Sequence, residues 1–186
     1  MENLEILVMR VILKIYISNE NGLIERNIKS FQDDSENEDM ESVFIDIDNV
    51  NDLDLYVVSG GNEFVNRSVE LSDRIYLNDG KGNFKRDIQE DIKNYTISGK
   101  TVISIDYDND GDKDILLGGN LYDVKPEVGI YDASYGLYLE NLGNLKFKYH
   151  RDGKGFVVKG EIRDILISNK NIFVSKNNDK MEVFKF

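Results

Sequence analysis

The chain has no cysteine and no tryptophan, and only one proline and one histidine in 186 residues. Without cysteine it forms no disulfide and offers no thiolate nucleophile or Cys-based zinc or iron–sulfur centre. The single His150 excludes a multi-histidine metal centre built by this chain alone. With Pro126 the sole proline, turns must rely on Asn and on the fifteen glycines. Positive charge is scarce too: 23 Lys and Arg stand against 35 Asp and Glu, a formal net charge of -12. Nucleic acid and anionic lipid are bound through Lys and Arg, so no nucleic-acid partner is expected, and divalent cations or basic partners fit better. A membrane span needs roughly 20 apolar residues. The longest candidate, 4–17, is broken by Arg10 and Lys14, so no direct membrane insertion is expected. That stretch also lacks the basic start and small-residue cleavage site of a signal peptide.

What the chain does have is a repeat. Val43-Phe44-Ile45-Asp46-Ile47-Asp48-Asn49-Val50-Asn51-Asp52-Leu53-Asp54 lines up with Ile103-Ser104-Ile105-Asp106-Tyr107-Asp108-Asn109-Asp110-Gly111-Asp112-Lys113-Asp114, and both run on to Gly-Gly-Asn at 60–62 and 118–120. Downstream, Arg74 to Phe84 parallels Gly136 to Phe147 more loosely, with Tyr76-Leu77 set against Tyr138-Leu139. Each reads as strand, Gly/Asn turn and returning strand, the signature of a β-hairpin. A partial copy precedes them at 14–24 and a degraded one follows from Gly160 to Phe184.

Strands are predicted near 10–17, 23–28, 43–47, 53–58, 74–78, 83–87, 101–105, 114–118, 135–140, 145–149, 155–158, 162–167, 171–175 and 181–185. The expected fold is all-β: a partial β-propeller of about three four-stranded blades plus a half blade, with Asp-rich calcium loops. A tandem β-sandwich is the alternative. The units are a partial blade at 1–28, an acidic linker at 29–42, a blade with a degenerate aspartate loop at 43–100, a blade with a full loop at 101–154 and a degenerate terminal blade at 155–186. The linker, acidic at 33, 34, 36, 38, 39 and 41, is expected to pack poorly.

Five aspartates at alternate positions, Asp106, Asp108, Asp110, Asp112 and Asp114, repel one another unless a cation compensates them. Gly111 lets the loop turn tightly enough to converge its oxygens. Hard oxygen ligands at this density favour Ca²⁺, which accepts six to eight, over Mg²⁺, which keeps its waters. Asp106, Asp108, Asp110 and Asp114 are expected to ligate through side chains and Asp112 through its carbonyl. An EF-hand is excluded, because Leu117 and Val57 stand where its bidentate Glu belongs. The earlier loop, with Asp46, Asp48, Asp52 and Asp54, has Val50 in place of Asp110 and Asn51 in place of Gly111. Asn tolerates the left-handed conformation, so that turn is expected to survive. Its bland alternative is a solvated acidic turn.

The segments 44–62, 73–84 and 102–120 resemble FG-GAP-type repeats, also called VCBS repeats. The phrase Asp54-Leu55-Tyr56-Val57-Val58-Ser59-Gly60-Gly61-Asn62-Glu63, with Pro126 to Gly129, Tyr135 to Leu137 and Asn177 to Lys180, is similar to the final blades of bacterial ASPIC/UnbV-related surface proteins. The resemblance implies a calcium site in each aspartate loop, an extracellular or cell-surface setting, and a ring of more blades than this chain supplies. A C-terminal fragment of a longer chain, a split gene product, or a half-ring associating with itself is therefore expected.

The expected function is a calcium-stabilised, non-catalytic module that binds protein or glycan at the cell surface. The connections 62–73 and 119–134 offer Asn62, Glu63, Phe64, Arg67, Tyr122 and Tyr131, with Tyr135 just beyond, as a mixed aromatic and polar patch for a ligand, although for the three tyrosines packing between blades is the favoured alternative. One alternative is purely structural, as terminal blades of a larger propeller. The other is a carboxylate-based glycan hydrolase or lyase using Glu63 with Asp73 or Glu127 with Asp132. His150, beside Arg151 and Asp152, is expected to be an ordinary surface residue.

Overall fold

The computed structural model describes residues 3–9, 12–60, 69–88, 92, 99–119, 136–150 and 153–186. Their strands form four antiparallel sheets in chain order. The first contains β1 (Asn3–Met9), β2 (Ile12–Asn19) and β3 (Gly22–Arg26). A short helix α1 (Lys29–Asp33) leads to the second sheet, made of β4 (Asp39–Ile45), β5 (Asp54–Ser59), β6 (Arg74–Asn78) and β7 (Phe84–Asp87). The third sheet contains β8 (Gly99–Ile105), β9 (Asp114–Gly119), β10 (Leu137–Asn141) and β11 (Phe147–His150). The fourth has β12 (Ile162–Ser168), β13 (Asn171–Lys176) and β14 (Glu182–Lys185). Each sheet is an up-and-down meander, and its faces pack against its sequence neighbours. This is the partial β-propeller expected from the repeat.

The stacking explains the sequence of the second strands. β5 and β9 are buried along their whole length, so they read as apolar runs and not as alternation. Leu55 and Val57 face the first sheet and α1, with Leu13 and Ile15 of the sheet and Phe31 of the helix. Tyr56 and Val58 face the third, with Val102, Ile115 and Leu117. Leu116 turns to the fourth, with Phe156, Ile162, Ile165 and Val174. Opening strands pack on one another, β4 against β8 and β8 against β12. The glycines that close each second strand permit this approach. A Cβ on Gly60 would lie 2.6 Å from the Gly99 carbonyl oxygen, and one on Gly118 would lie 2.6 Å from Ile162.

Three expectations change. The strand expected at 10–17 is present as β2, but β1 precedes it and pairs with it from Asn3↔Ser18 to Met9↔Ile12, so the first unit has three strands and not two. No strand forms at 155–158. Gly153–Gly155 is a 3-10 turn with Lys154 at φ 42, and Phe156 and Val158 plug into the core from unpaired chain. Their period of two imitates a strand because alternate side chains are buried in both cases. The last sheet therefore has three strands.

The acidic segment 29–42 does not pack poorly. Phe31 is buried edge-on against Tyr76 at 4.8 Å. Asp34 accepts from the Tyr76 hydroxyl at 2.8 Å and pairs with Arg86, while Asp39 pairs with Arg74. Those cations lie 35 and 52 residues away in sequence, which hides the compensation from a local reading.

Asp73 occupies a buried pocket of the same sheet, accepting from the Tyr56 hydroxyl at 2.7 Å and the Ser59 amide at 2.9 Å. Burial pushes its carboxyl up from 3.8 to about 7, against the lowering effect of those two bonds. A folded-state value above the unfolded one means that the folded chain holds the proton more tightly. The associated stability is full below about pH 4 and is lost as pH rises through about 7. In chelator, the urea midpoint is expected to fall between pH 6 and 7, and Asp73→Asn is expected to flatten that interval. An unchanged slope in the variant would remove Asp73 as its source.

Candidate metal centre

Both aspartate loops fold alike. In the first, Asn49 and Asn51 take positive φ of 61° and 66°; in the second, Asn109 and Gly111 take 62° and 103°. The Asn51-for-Gly111 exchange thus preserves the left-handed turn. One carboxylate oxygen from each of Asp46, Asp48 and Asp54 falls within 4.8 Å of the others, and the same holds for Asp106, Asp108 and Asp114.

The last aspartate of each trio fastens the loop to the sheet. Asp54 accepts from the Ile47 amide at 3.0 Å and the Asn78 amide at 2.8 Å. Asp114 accepts from the Tyr107 amide at 3.0 Å and the Asn141 amide at 2.8 Å. Burial raises each of these carboxyls to about 6 despite the amide bonds. Other oxygens find no such partners. Asp48 Oδ1, Asp52 Oδ1 and Asp106 Oδ1 are buried and accept no hydrogen bond from the described residues. Buried carboxylate oxygens without donors are costly, and a cation relieves them.

The remaining aspartates take other positions. Asp46 accepts from the Val50 and Asn51 amides, both at 3.1 Å, and so closes its loop in the absence of the Asp110 equivalent. Asp52 lies outside the trio, its carboxyl raised by burial and by Asp48 and Asp46. Asp110 accepts from the Asp112 amide at 2.9 Å. The Asp112 carboxylate reaches across to the first loop, accepting from Asn49 Nδ2 at 2.7 Å. A second bridge runs through buried Asn141, whose Nδ2 donates to the Ile47 carbonyl at 3.1 Å. The two loops are thereby joined.

Residues 46–117 match the family model of the FG-GAP-like repeat. The matched segment opens on Asp46 in the first loop and runs through the second loop into β9. No curated protein matches the chain. The matched segment thus takes in both aspartate loops and the strands from β5 to the first part of β9, and leaves β4 outside.

Several residues of this region were not picked out by sequence. Asn78 and Asn141 hold equivalent places, each giving its amide to the last aspartate of its loop. That equivalence sets Tyr76 opposite Leu139 and Ile75 opposite Tyr138, so the apparent Tyr-Leu match of the two hairpins is one residue out of register. A one-residue slip changes the face of every side chain. Tyr76 accordingly packs toward the first sheet, and Tyr138 toward the fourth. The Tyr138 hydroxyl reaches the second loop, 3.1 Å from Asp114 and 3.3 Å from Asp108.

His150 is not a surface residue. Its ring stacks on Tyr138 with centroids 5.1 Å apart, pairs with Glu140, and is only 10% exposed. Burial works against the Glu140 charge, but His150 and Lys154 together hold its carboxyl down to about 2. The loop residues Asn62, Glu63, Phe64, Arg67, Tyr122, Tyr131 and Tyr135, with Glu127 and Asp132, lie outside the described residues.

Proposed function

We propose that this chain is a calcium-stabilised, non-catalytic repeat module that binds a protein or glycan at the cell surface, with one Ca²⁺ in each aspartate loop. The observation that carries the reading is the pair of carboxylate trios with buried, donorless oxygens at Asp48 and Asp106. Ca²⁺ suits them better than Mg²⁺ because the donors are all hard oxygens and numerous. Asp46, Asp48 and Asp54 would hold the ion of the first loop, and Asp106, Asp108 and Asp114 that of the second. Asp110, Asp112 and Asp52 stand close enough in sequence to complete the shells. The extracellular setting and the kinship to ASPIC/UnbV-related proteins belong to the same reading, supported by the FG-GAP-like repeat.

Thermal unfolding of the chain with 1 mM Ca²⁺ and with excess chelator tests the calcium part. Ligands that bind only the folded state raise its stability, and a rise on the order of several degrees is expected. Asp106→Ala with Asp108→Ala is expected to remove part of it, and Asp46→Ala with Asp48→Ala the rest. Equal midpoints in calcium and chelator would contradict the reading.

A second reading, terminal blades of a larger propeller, is favoured by one feature. On β12, β13 and β14 the residues Leu166, Phe173 and Val183 are aligned in register. Leu166 is 61% and Val183 51% exposed. Such a row suits packing against a further sheet, from a longer chain or from a second copy.

A further inference from the structure

The two loops differ in what neutralises them, and the difference runs opposite to their aspartate count. In the second loop the Lys154 ammonium lies 3.8 Å from Asp108 Oδ2, and the Tyr138 hydroxyl donates toward both Asp108 and Asp114. Two proton donors therefore stand against the carboxylates that a cation would join. Lys154 is held there from three directions. Glu140 binds its ammonium at 3.0 Å, the Tyr138 ring lies beneath it at 5.5 Å, and the Tyr107 hydroxyl binds its carbonyl at 3.3 Å. In the first loop the place of Tyr138 is taken by Ile75, which has no hydroxyl to offer. Two buried oxygens there, on Asp48 and Asp52, accept no hydrogen bond, against one in the second loop, on Asp106. Asp79, which raises the Asp52 carboxyl, adds negative charge beside the first loop; beside the second Glu140 raises Asp108 in the same way, but Glu140 is itself paired with His150 and Lys154.

We propose that Lys154, with Tyr138, is a tethered stand-in for the cation of the second loop, and that Lys154 sets the affinity of that loop for Ca²⁺. The inference rests on the calcium reading above. An incoming ion has to bind against the ammonium or displace it, so the loop richer in aspartate binds its ion more weakly than its composition implies. The ion-free second loop is correspondingly better compensated than the first. Lys154 is a residue that tunes affinity and not a ligand.

Titration calorimetry with Ca²⁺ alone tests this in an Asp48→Ala background, which disables the first loop and leaves the second to be read by itself. A unit charge about 6 Å from a divalent ion changes its affinity by about tenfold even when screened by the dielectric of bulk water. Lys154→Met is therefore expected to tighten binding by about tenfold, and Tyr138→Phe by a smaller factor. Lys85→Met, at an exposed position on β7 of the other sheet, lowers the positive charge equally and is expected to leave the affinity unchanged. If Lys154→Met has no effect, or if Lys85→Met matches it, the stand-in is overturned while calcium binding is retained. If the chain with both loops intact binds no Ca²⁺, the calcium reading itself fails, and the inference falls with it. Should Lys154→Met weaken the ion-free fold, a larger calcium-induced rise in Tm than in the Lys154 parent gives the same support, and an equal rise overturns it.

Discussion

Replacing Arg74 by Met is expected to destabilise the chain by about 3–5 kcal/mol, the cost typical of breaking a buried ion pair by removing one partner. Arg74 is 2% exposed, and its guanidinium binds Asp39, the Ser59 hydroxyl at 3.3 Å and the Asp34 carbonyl at 3.3 Å. Without it the Asp39 carboxylate is left in the interior without its cation. For a chain of this length the fall in Tm is on the order of 10 °C. The double change Arg74→Met with Asp39→Leu removes both charges and is expected to recover most of the loss. Chemical denaturation of the two variants checks this. A double variant as unstable as the single one would mean that Arg74 acts through packing on the Tyr76 ring, 5.9 Å away, and not through charge.

Asp114→Ala is expected to cost about 3 kcal/mol even in chelator, because two backbone amides lose their acceptor. One of them belongs to Asn141, which is fully buried, and each orphaned donor costs about 1–3 kcal/mol. The neighbouring Asp108→Ala is expected to behave in the opposite way. Asp108 accepts from the Tyr138 hydroxyl at 3.3 Å and from the Asp110 amide of its own loop and touches Lys154, so no amide of the sheet depends on it and its loss changes the ion-free stability by about 1 kcal/mol at most. It should instead remove the calcium response of the second loop. Unfolding curves in chelator and in calcium separate the two residues. Equal losses in chelator would show that Asp114 is not the peg that ties loop to sheet.

The contrast between Asp114 and Asp108 also marks how far the sequence can be read. Alternating aspartates followed by an apolar run and Gly-Gly-Asn were enough to place β4, β5, β8 and β9 and the loops between them. Each of those elements is specified by its own residues. Asn51 could be put in a left-handed turn for the same local reason, and it has a φ of 66°. Long-range compensation was not legible in this way. Asp34 and Asp39 look like a solvated linker until Arg86 and Arg74 are brought to them by the sheet. The Tyr-Leu likeness between the hairpins also misled. Pairing Tyr76 with Tyr138 maximises identity, but register is set by the asparagine that caps each loop. His150 looked exposed because nothing adjacent to it announces Glu140, ten residues upstream and across the hairpin.

Calcium titration of the intact chain with direct counting of bound ions measures most directly whether two ions enter the two loops. The predicted result is two Ca²⁺ per chain, falling to one when Asp106 and Asp108 are changed to Ala and to one when Asp46 and Asp48 are. Binding of no Ca²⁺ by a chain that unfolds cooperatively would contradict it and leave the aspartates as a turn-forming surface.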